Sequence, residues 1–148
     1  MLSDAKASLS ARRSFVAKIQ TFLDRGKILN RLLTKVMIKL KRIYGPYDKK
    51  DGYRVLVDRL WPRGVSKEKA HLDVWLKDVA PSTELRKWFN HDPKRWADFK
   101  KKYRVELKKN KEAVLMLKQA KKKNSTITLL YGAKDEMHNE AVVIKDSF

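Results

Sequence analysis

The segment YRVLVDRLWPRG, residues 53–64, decides the fold class. Its apolar run Val55–Val57 is typical of a strand that is buried on both faces. The strand leads directly into Asp58 and Arg59, and Pro62 and Gly64 then mark a turn. Strands buried on both faces belong to sheets that are covered by helices on either side. The segment therefore predicts a central strand of an α/β domain, with charged side chains at its carboxyl end.

Elements on both sides of this segment complete the prediction. Residues 38–44 alternate apolar and basic side chains, which predicts a half-buried strand, and residues 126–131 predict a third, fully buried strand. The segment 72–79 is ambiguous between extended and helical structure. Helices are predicted over a short stretch from residue 67, over 83–89, from Asp92-Pro93 onward as a long helix, and over 138–146. This order predicts a small, at least partly parallel central sheet with flanking helices, because parallel strands need crossovers.

The first 36 residues differ from the domain predicted over 37–148 and are interpreted as a basic amphipathic helical extension. They contain eight basic and two acidic residues, and apolar residues recur at spacings of three and four from Phe15 onward. Gly26 predicts a break into two helices. We expect the apolar stripe to dock on the domain or to pair with another copy, since an exposed stripe favours association. Binding to membranes, to nucleic acid or to a partner groove is the alternative, and Met37 is a candidate alternative start.

The composition is that of a folded and strongly basic protein. Its 148 residues suit one domain, and the 43% hydrophobic content argues against a disordered chain. The 36 lysines and arginines outnumber 17 acidic residues and give a net charge of +19, which attracts anions. No cysteine is present, which excludes disulfides, thiolate zinc sites and cysteine nucleophiles. Neither a membrane span nor a secretory signal is recognisable, so a cytoplasmic location is expected.

Charged side chains gather where the central strand ends. Arg54 lies within the strand, and Asp58, Arg59 and Arg63 follow it. Open α/β sheets bind ligands beyond the carboxyl ends of their strands, and arginines there can grip a phosphate or carboxylate in a bidentate manner. Asp58 is a candidate acid or base, and Trp61 is a candidate stacking surface. The structural alternative is an ion pair between Asp58 and an arginine, with Trp61 in the core.

A second group of polar residues follows the third predicted strand. Tyr131 ends that strand, and Gly132 opens a turn in which backbone N–H groups can face an anion. Lys134 adds positive charge, His138 is a candidate acid or base, and Asn139 is a hydrogen-bonding group. Because both strand ends are expected at one edge of the sheet, both groups are expected in one crevice. The three histidines are widely separated, so no metal site is predicted, and no sequence motif indicates a cofactor.

Three blocks of the sequence, residues 51–64, 72–89 and 128–144, resemble the YeaO-like proteins of domain-of-unknown-function family 488. The similarity spans residues 38–148 and leaves the first 36 residues uncovered. The resemblance implies a compact α/β fold without an assigned biochemical role, and it adds candidate site residues: Lys77, Ser82, Thr83 and Arg86. Some longer relatives carry cysteine and a Cys-His-Arg string in the last block, where this chain reads YGAKDEMHNEA. That departure removes any thiol- or metal-based mechanism.

Together these patterns predict a protein that binds or acts on a small anionic ligand, such as a nucleotide or a phosphorylated metabolite. Arg54, Arg59 and Arg63 would clamp the anion, and Lys134 with the Gly132 backbone would form a second cradle. The alternatives are a nucleic-acid-binding accessory protein that uses lysine-rich faces, and an interaction module without a ligand. The sequence leaves open whether the protein is an enzyme.

Overall fold

The computed structural model describes residues 2–33 and 35–148 of the chain, which forms two compact units, residues 1–35 and 36–148. The first unit is an uninterrupted helix, α1 (Leu2–Leu33). The predicted break at Gly26 was therefore wrong. A glycine in a helix interior costs only about 1 kcal/mol relative to alanine, and the good helix formers around Gly26 carry the helix through it.

The second unit is built on a four-stranded sheet. Its strands are β1 (Met37–Arg42), β2 (Tyr53–Leu56), β3 (Val74–Trp75) and β4 (Thr126–Tyr131). Their spatial order is β1-β4-β2-β3 and every pairing is parallel, which confirms the α/β fold. The last strand in the sequence lies between the first two, since Leu129 is in register with both Leu40 and Val55. The carboxyl ends of β2 and β4 are therefore neighbours at one edge of the sheet.

Five helices accompany the sheet, and two of them lie in the helical segment predicted from Asp92-Pro93 onward. That segment is a 3₁₀ turn followed by two helices, because Asn110 leaves the helical conformation and its side chain accepts the N–H of Ala113 at 3.4 Å. Residues 72–79, ambiguous from the sequence, contain β3 and a 3₁₀ turn at Lys77–Val79. The helices are α2 (Lys67–Ala70), α3 (Thr83–Phe89), α4 (Trp96–Lys109), α5 (Lys111–Lys123) and α6 (Glu140–Ser147).

The core occupies both faces of the sheet, as the apolar run of β2 predicts. Val55 and Val57 belong to the larger hydrophobic cluster, whereas Leu56 belongs to a smaller one on the other side, and all three are fully buried. Helix α4 contributes the predicted buried stripe to the larger cluster: Phe99, Tyr103 and Leu107, with Trp96 half-buried beside them. Within residues 2–33 and 35–148, no helix combines the length and the apolar content needed to span a bilayer.

Candidate functional site

A cleft of about 710 Å³ opens at the carboxyl ends of β2 and β4. The N–H of Val57 donates to the carbonyl oxygen of Leu130 at 3.1 Å and extends the pairing of the two strands by one residue. The loops that follow the strands, residues 58–63 and 132–139, therefore start side by side and form two walls of the cleft. Residues of the Ala80-Pro81 loop and of α3 form the third wall.

Most of the predicted site residues line this single cleft. The structure therefore brings together the two groups that the sequence places at separate strand ends, in the geometry expected for parallel neighbours. The cleft-lining members of the predicted set are Asp58, Arg59, Trp61, Arg63, Arg86, Gly132, Lys134, His138 and Asn139.

The carboxylate of Asp58 joins the two strand ends at the floor of the cleft. Its Oδ2 accepts the backbone N–H of Gly132 at 2.8 Å, and a Cβ atom on residue 132 would lie only 2.9 Å from that oxygen. A side chain at position 132 would therefore force the Asp58 carboxylate to shift. The predicted anion cradle at Gly132 needs correction, because its N–H is already occupied by Asp58. The other carboxylate oxygen, Oδ1, is buried and has no conventional donor among the described residues.

Glu140, the first residue of α6, lies within hydrogen-bonding reach of the Asp58 carboxyl group. Burial of its carboxyl group raises the pKa of Glu140 well above the usual range, and the hydrogen bond and negative charge of Asp58 raise it further. The positive charge of Arg86 opposes this shift. Glu140 therefore keeps its proton to a higher pH than an ordinary glutamate. While the proton is held, the two carboxyl groups carry one negative charge between them.

Arg59 is fixed against the third wall of the cleft. Its Nε and Nη2 donate to the carbonyl oxygens of Pro81 and Ala80 at 3.0 and 3.1 Å. Beside this loop, the hydroxyl of Tyr103 donates to the carbonyl oxygen of Val79 at 2.6 Å, and burial raises the pKa of Tyr103 well above its usual value. Two of the N–H groups of Arg59 are therefore occupied by backbone carbonyl oxygens of this wall, and Arg59 is a weaker anion clamp than the sequence suggests.

Three other cationic side chains line the mouth of the cleft: Arg63, Arg86 and Lys134. All three are exposed, and within residues 35–148 none of their charged groups makes a hydrogen bond or an ion pair. Arg63 is held in place through its backbone, whose carbonyl oxygen accepts the hydroxyl of Tyr44 at 3.0 Å. These cations can turn toward a ligand without breaking an existing contact.

His138 is oriented by its own loop. Its Nδ1 lies 2.8 Å from Oδ2 of Asp135, and its ring meets the ring of Trp96 edge-on, with centroids 5.2 Å apart. The hydrogen bond from His138, together with the N–H of Met137, holds the pKa of Asp135 below its usual value. Asn139 is a structural cap, since its Oδ1 accepts the N–H of Val142 at 3.2 Å and its side chain is buried.

Trp61 borders the cleft but is anchored in the smaller core cluster. Its Nε1 donates to the carbonyl oxygen of Val65 at 2.7 Å, and its ring meets that of Trp75 edge-on, with centroids 5.4 Å apart. These contacts favour the structural alternative, in which the Trp61 ring belongs to the core, over a free stacking surface.

Arg54 does not reach the cleft, and its predicted role as an anion clamp needs correction. The residue is 1% exposed, and its guanidinium binds Asp51 and the carbonyl oxygens of Ala70 and His71. Burial alone would raise the pKa of Asp51, but the hydrogen bond from Lys41 and the charges of Lys41 and Arg54 hold that pKa below its usual value. Arg54 is a buried structural ion-pair partner.

Three further predicted residues also lie outside the cleft lining. Ser82 caps α3 by accepting the N–H of Leu85 at 3.1 Å, and its hydroxyl donates to Glu106 at 2.5 Å. Lys77 is exposed and lies over the ring of Trp75, 5.8 Å from its centroid. Tyr131 is buried, and its carbonyl oxygen extends the sheet by accepting the N–H of Ile43 at 2.8 Å.

Residues 37–148 match a family model described as the inactive DUF488-N3 subclade. The uncharacterized protein YeaO of Escherichia coli is 45% identical over 109 residues, which cover 74% of this chain and 94% of YeaO. The chain belongs to the YeaO-like DUF488 family. Uncharacterized proteins of Mycobacterium bovis and Mycobacterium tuberculosis are 43% identical over 76 residues, which cover 51% of this chain and 64% of theirs. No solved structure matches the chain significantly.

The YeaO-like region contains the whole cleft but not α1, which precedes the match. Of the residues that the family resemblance added to the site, only Arg86 lines the cleft, whereas Lys77, Ser82 and Thr83 do not. Sequence reasoning missed Glu140, Tyr44, Phe89 and His91. The sequence position of Glu140 could have indicated its role, since it directly follows His138 and Asn139 in the last YeaO-like block. His91 had none, because its position depends on the left-handed backbone of Asn90 and His91, with φ of 47° and 54°.

Proposed function

We propose that the cleft binds a small anionic ligand, such as a nucleotide or a phosphorylated metabolite, without transforming it. The observation that carries the proposal is the convergence of Arg63, Arg86 and Lys134 on the mouth of one cleft. Guanidinium groups that are not engaged elsewhere suit the bidentate binding of phosphate or carboxylate. A volume of about 710 Å³ lies within the range of small-molecule sites.

The negative charge at the floor of the cleft favours one orientation of such a ligand, with its anionic group toward the mouth. Asp58 and Glu140 keep at least one negative charge there, so a phosphate is repelled from the floor and attracted to the three cations at the mouth. A hydroxyl or amide group can face the floor, because carboxyl oxygens accept hydrogen bonds. A ligand with an anionic end and a neutral polar end fits this division.

Binding without turnover agrees with the description of the matching family. The chain has no cysteine, and the described residues contain no cluster of three metal-ligating side chains. The matching family model is described as inactive. His138 is held by Asp135 in the loop after β4, and no hydrogen bond links it to Asp58, so the two candidate acid–base groups do not form a relay within the described residues.

The test is a thermal-shift screen of nucleotides and phosphorylated metabolites, followed by titration of each hit. A ligand at 100 times its dissociation constant adds about 2.7 kcal/mol of stability. Replacing Arg63 by alanine should weaken binding by about ten- to a hundredfold, since a charge-assisted hydrogen bond contributes roughly 1.5 to 3 kcal/mol. Arg104→Ala is the matched control, because it removes the same charge from an exposed site on α4 outside the cleft.

For a nucleic-acid binder, changes to the lysine-rich faces should weaken binding more than Arg63→Ala does. Neutralising Lys100, Lys101 and Lys102 with glutamine removes three charges from α4 without changing the cleft. If the lysine-rich faces carry the function, this triple change lowers the salt dependence of polyanion binding more than Arg63→Ala does. If Arg63→Ala and Arg104→Ala have equal effects on every ligand, the cleft is not the binding site.

A further inference from the structure

Helix α1, considered by itself, carries a continuous apolar arc on one side. At about 3.6 residues per turn, its large apolar side chains between residues 15 and 29 fall, with one exception, within an arc of about 140°. They are exposed, from 43% for Ile19 to 75% for Phe22. The members of this apolar arc are Phe15, Val16, Ile19, Phe22, Leu23 and Leu29. The exception is Ile28, which lies on the opposite side of the helix.

Basic side chains border the apolar arc on both edges. Lys18 and Arg25 follow one edge, and Arg13 and Lys27 follow the other. Arg12 lies within the arc, one turn before Phe15 and Val16. The opposite side is mostly polar around Ala17 and Ile28, and there the amide of Gln20 donates to Asp24 at 3.1 Å and the hydroxyl of Thr21 to the carbonyl oxygen of Ala17 at 3.0 Å.

We propose that α1 lies flat on an anionic phospholipid surface, with the apolar arc at the boundary between headgroups and acyl chains. An apolar face bordered by lysine and arginine is the arrangement of helices that bind in the plane of an interface. The long stems of Lys18, Arg25, Arg13 and Lys27 can lie along the apolar boundary while their charges reach anionic headgroups. The helix is too polar to cross a bilayer, which agrees with surface binding rather than insertion.

The same pattern argues against two other occupants of this face, a second copy and nucleic acid. Two copies of α1 paired through their apolar arcs would place basic edges against basic edges in either orientation. Asp24, which lies on the opposite side, could not compensate for that repulsion. Nucleic acid would neutralise the basic edges but would leave six exposed apolar side chains in water. A bilayer with anionic headgroups satisfies both features at once.

Co-flotation of the full chain with vesicles tests the proposal. Vesicles of phosphatidylcholine alone are compared with vesicles of phosphatidylcholine and phosphatidylglycerol, and the full chain should float with the second kind only. Phe22→Ser should weaken this binding by about ten- to a hundredfold, because a buried phenylalanine contributes roughly 1.5 to 3 kcal/mol. Ile28→Ser is the control, since it makes a similar change on the polar side of α1 and should leave binding nearly unchanged.

A second pair of variants separates the helix from the general charge of the protein. Changing Lys18 and Arg25 to glutamine removes two charges from one edge of the apolar arc. Changing Lys101 and Lys122 to glutamine removes two exposed charges from α4 and α5. The first pair should lower binding by about tenfold or more, and the second pair should lower it much less.

Three results would overturn the proposal. The first is no binding to anionic vesicles at low ionic strength. The second is equal loss with both charge pairs and none with Phe22→Ser, which would indicate attraction through net charge alone. The third is a dimer in solution that Phe22→Ser converts to a monomer, which would show that another copy covers the arc. Because the variant positions of α1 are exposed, urea unfolding of the full chain should show an unchanged domain in each case.

Discussion

The protonated carboxyl group at the floor of the cleft makes a quantitative prediction about stability. Burial and Asp58 raise the folded-state pKa of Glu140, whereas the unfolded chain has a glutamate pKa near 4.3. Between those two values the folded protein keeps a proton that the unfolded chain releases. The free energy of unfolding should therefore fall by about 1.4 kcal/mol per pH unit in that window. This contribution is complete below the unfolded pKa and is lost as the pH rises through the folded pKa.

Glu140→Gln removes this dependence and preserves the geometry. The glutamine amide can donate to Oδ1 of Asp58 as the protonated carboxyl group does, and it does not titrate. The wild type should lose stability relative to the variant as the pH rises from about 4.5, at about 1.4 kcal/mol per unit. Asp135 and Asp51, whose pKa values are lowered, destabilise both proteins at acid pH and cancel in this difference.

Urea unfolding, followed by the fluorescence of the four tryptophans, provides the measurement at each pH. Glu136→Gln is the control, because Glu136 is an exposed carboxylate in the loop that leads to α6. Its stability profile should run parallel to that of the wild type. If the profile of Glu140→Gln also runs parallel to the wild type, the pKa of Glu140 is not raised in the folded protein.

Two further substitutions test neighbouring parts of the structure. Gly132→Ala places a Cβ atom 2.9 Å from Oδ2 of Asp58, so it should lower the free energy of unfolding in urea by roughly 1 to 3 kcal/mol. At Gly26 an added Cβ atom meets no atom within 4 Å, so Gly26→Ala should raise the helicity of α1 in circular dichroism. Arg54→Met leaves Asp51 buried with only Lys41 as its cationic partner and should cost about 3 to 5 kcal/mol. A loss below 1 kcal/mol would show that Arg54 is not essential to the buried network.

The α/β class of the fold follows from local sequence patterns that tertiary contacts do not override. The apolar run of β2 requires cover on both faces, and only a sheet between layers supplies it. The insertion of β4 between β1 and β2 is not encoded locally, because strand order depends on how the helical crossovers pack. The break at Asn110 was missed for a similar reason. An asparagine side chain that caps α5 competes with continuing the helix, and the outcome depends on tertiary packing.

The position of the candidate site could be predicted from the sequence, but the contacts that its residues make could not. Strand ends in parallel sheets meet at one edge, so Asp58 and Gly132 were expected to be close. Whether an arginine is available depends on which carbonyl oxygens lie nearby. Arg63 and Arg59 are equivalent in sequence, yet Arg59 binds Ala80 and Pro81 while Arg63 makes no such contact. Glu140 was overlooked because a carboxylate at the start of a helix has an ordinary explanation in the helix dipole.

The arrangement of charge in the cleft links ligand affinity to the proton of Glu140. A phosphate near the rim experiences one negative charge from the floor while the Asp58–Glu140 pair holds its proton, and two once that proton is lost. At an effective dielectric constant of about 20, like charges 4 Å apart repel by about 4 kcal/mol, and this repulsion decreases in inverse proportion to the distance. The size of the added repulsion is therefore set by how close the bound phosphate lies to the floor. Affinity for anions should consequently fall as the pH rises through the folded-state pKa of Glu140, and a bound anion should raise that pKa in turn.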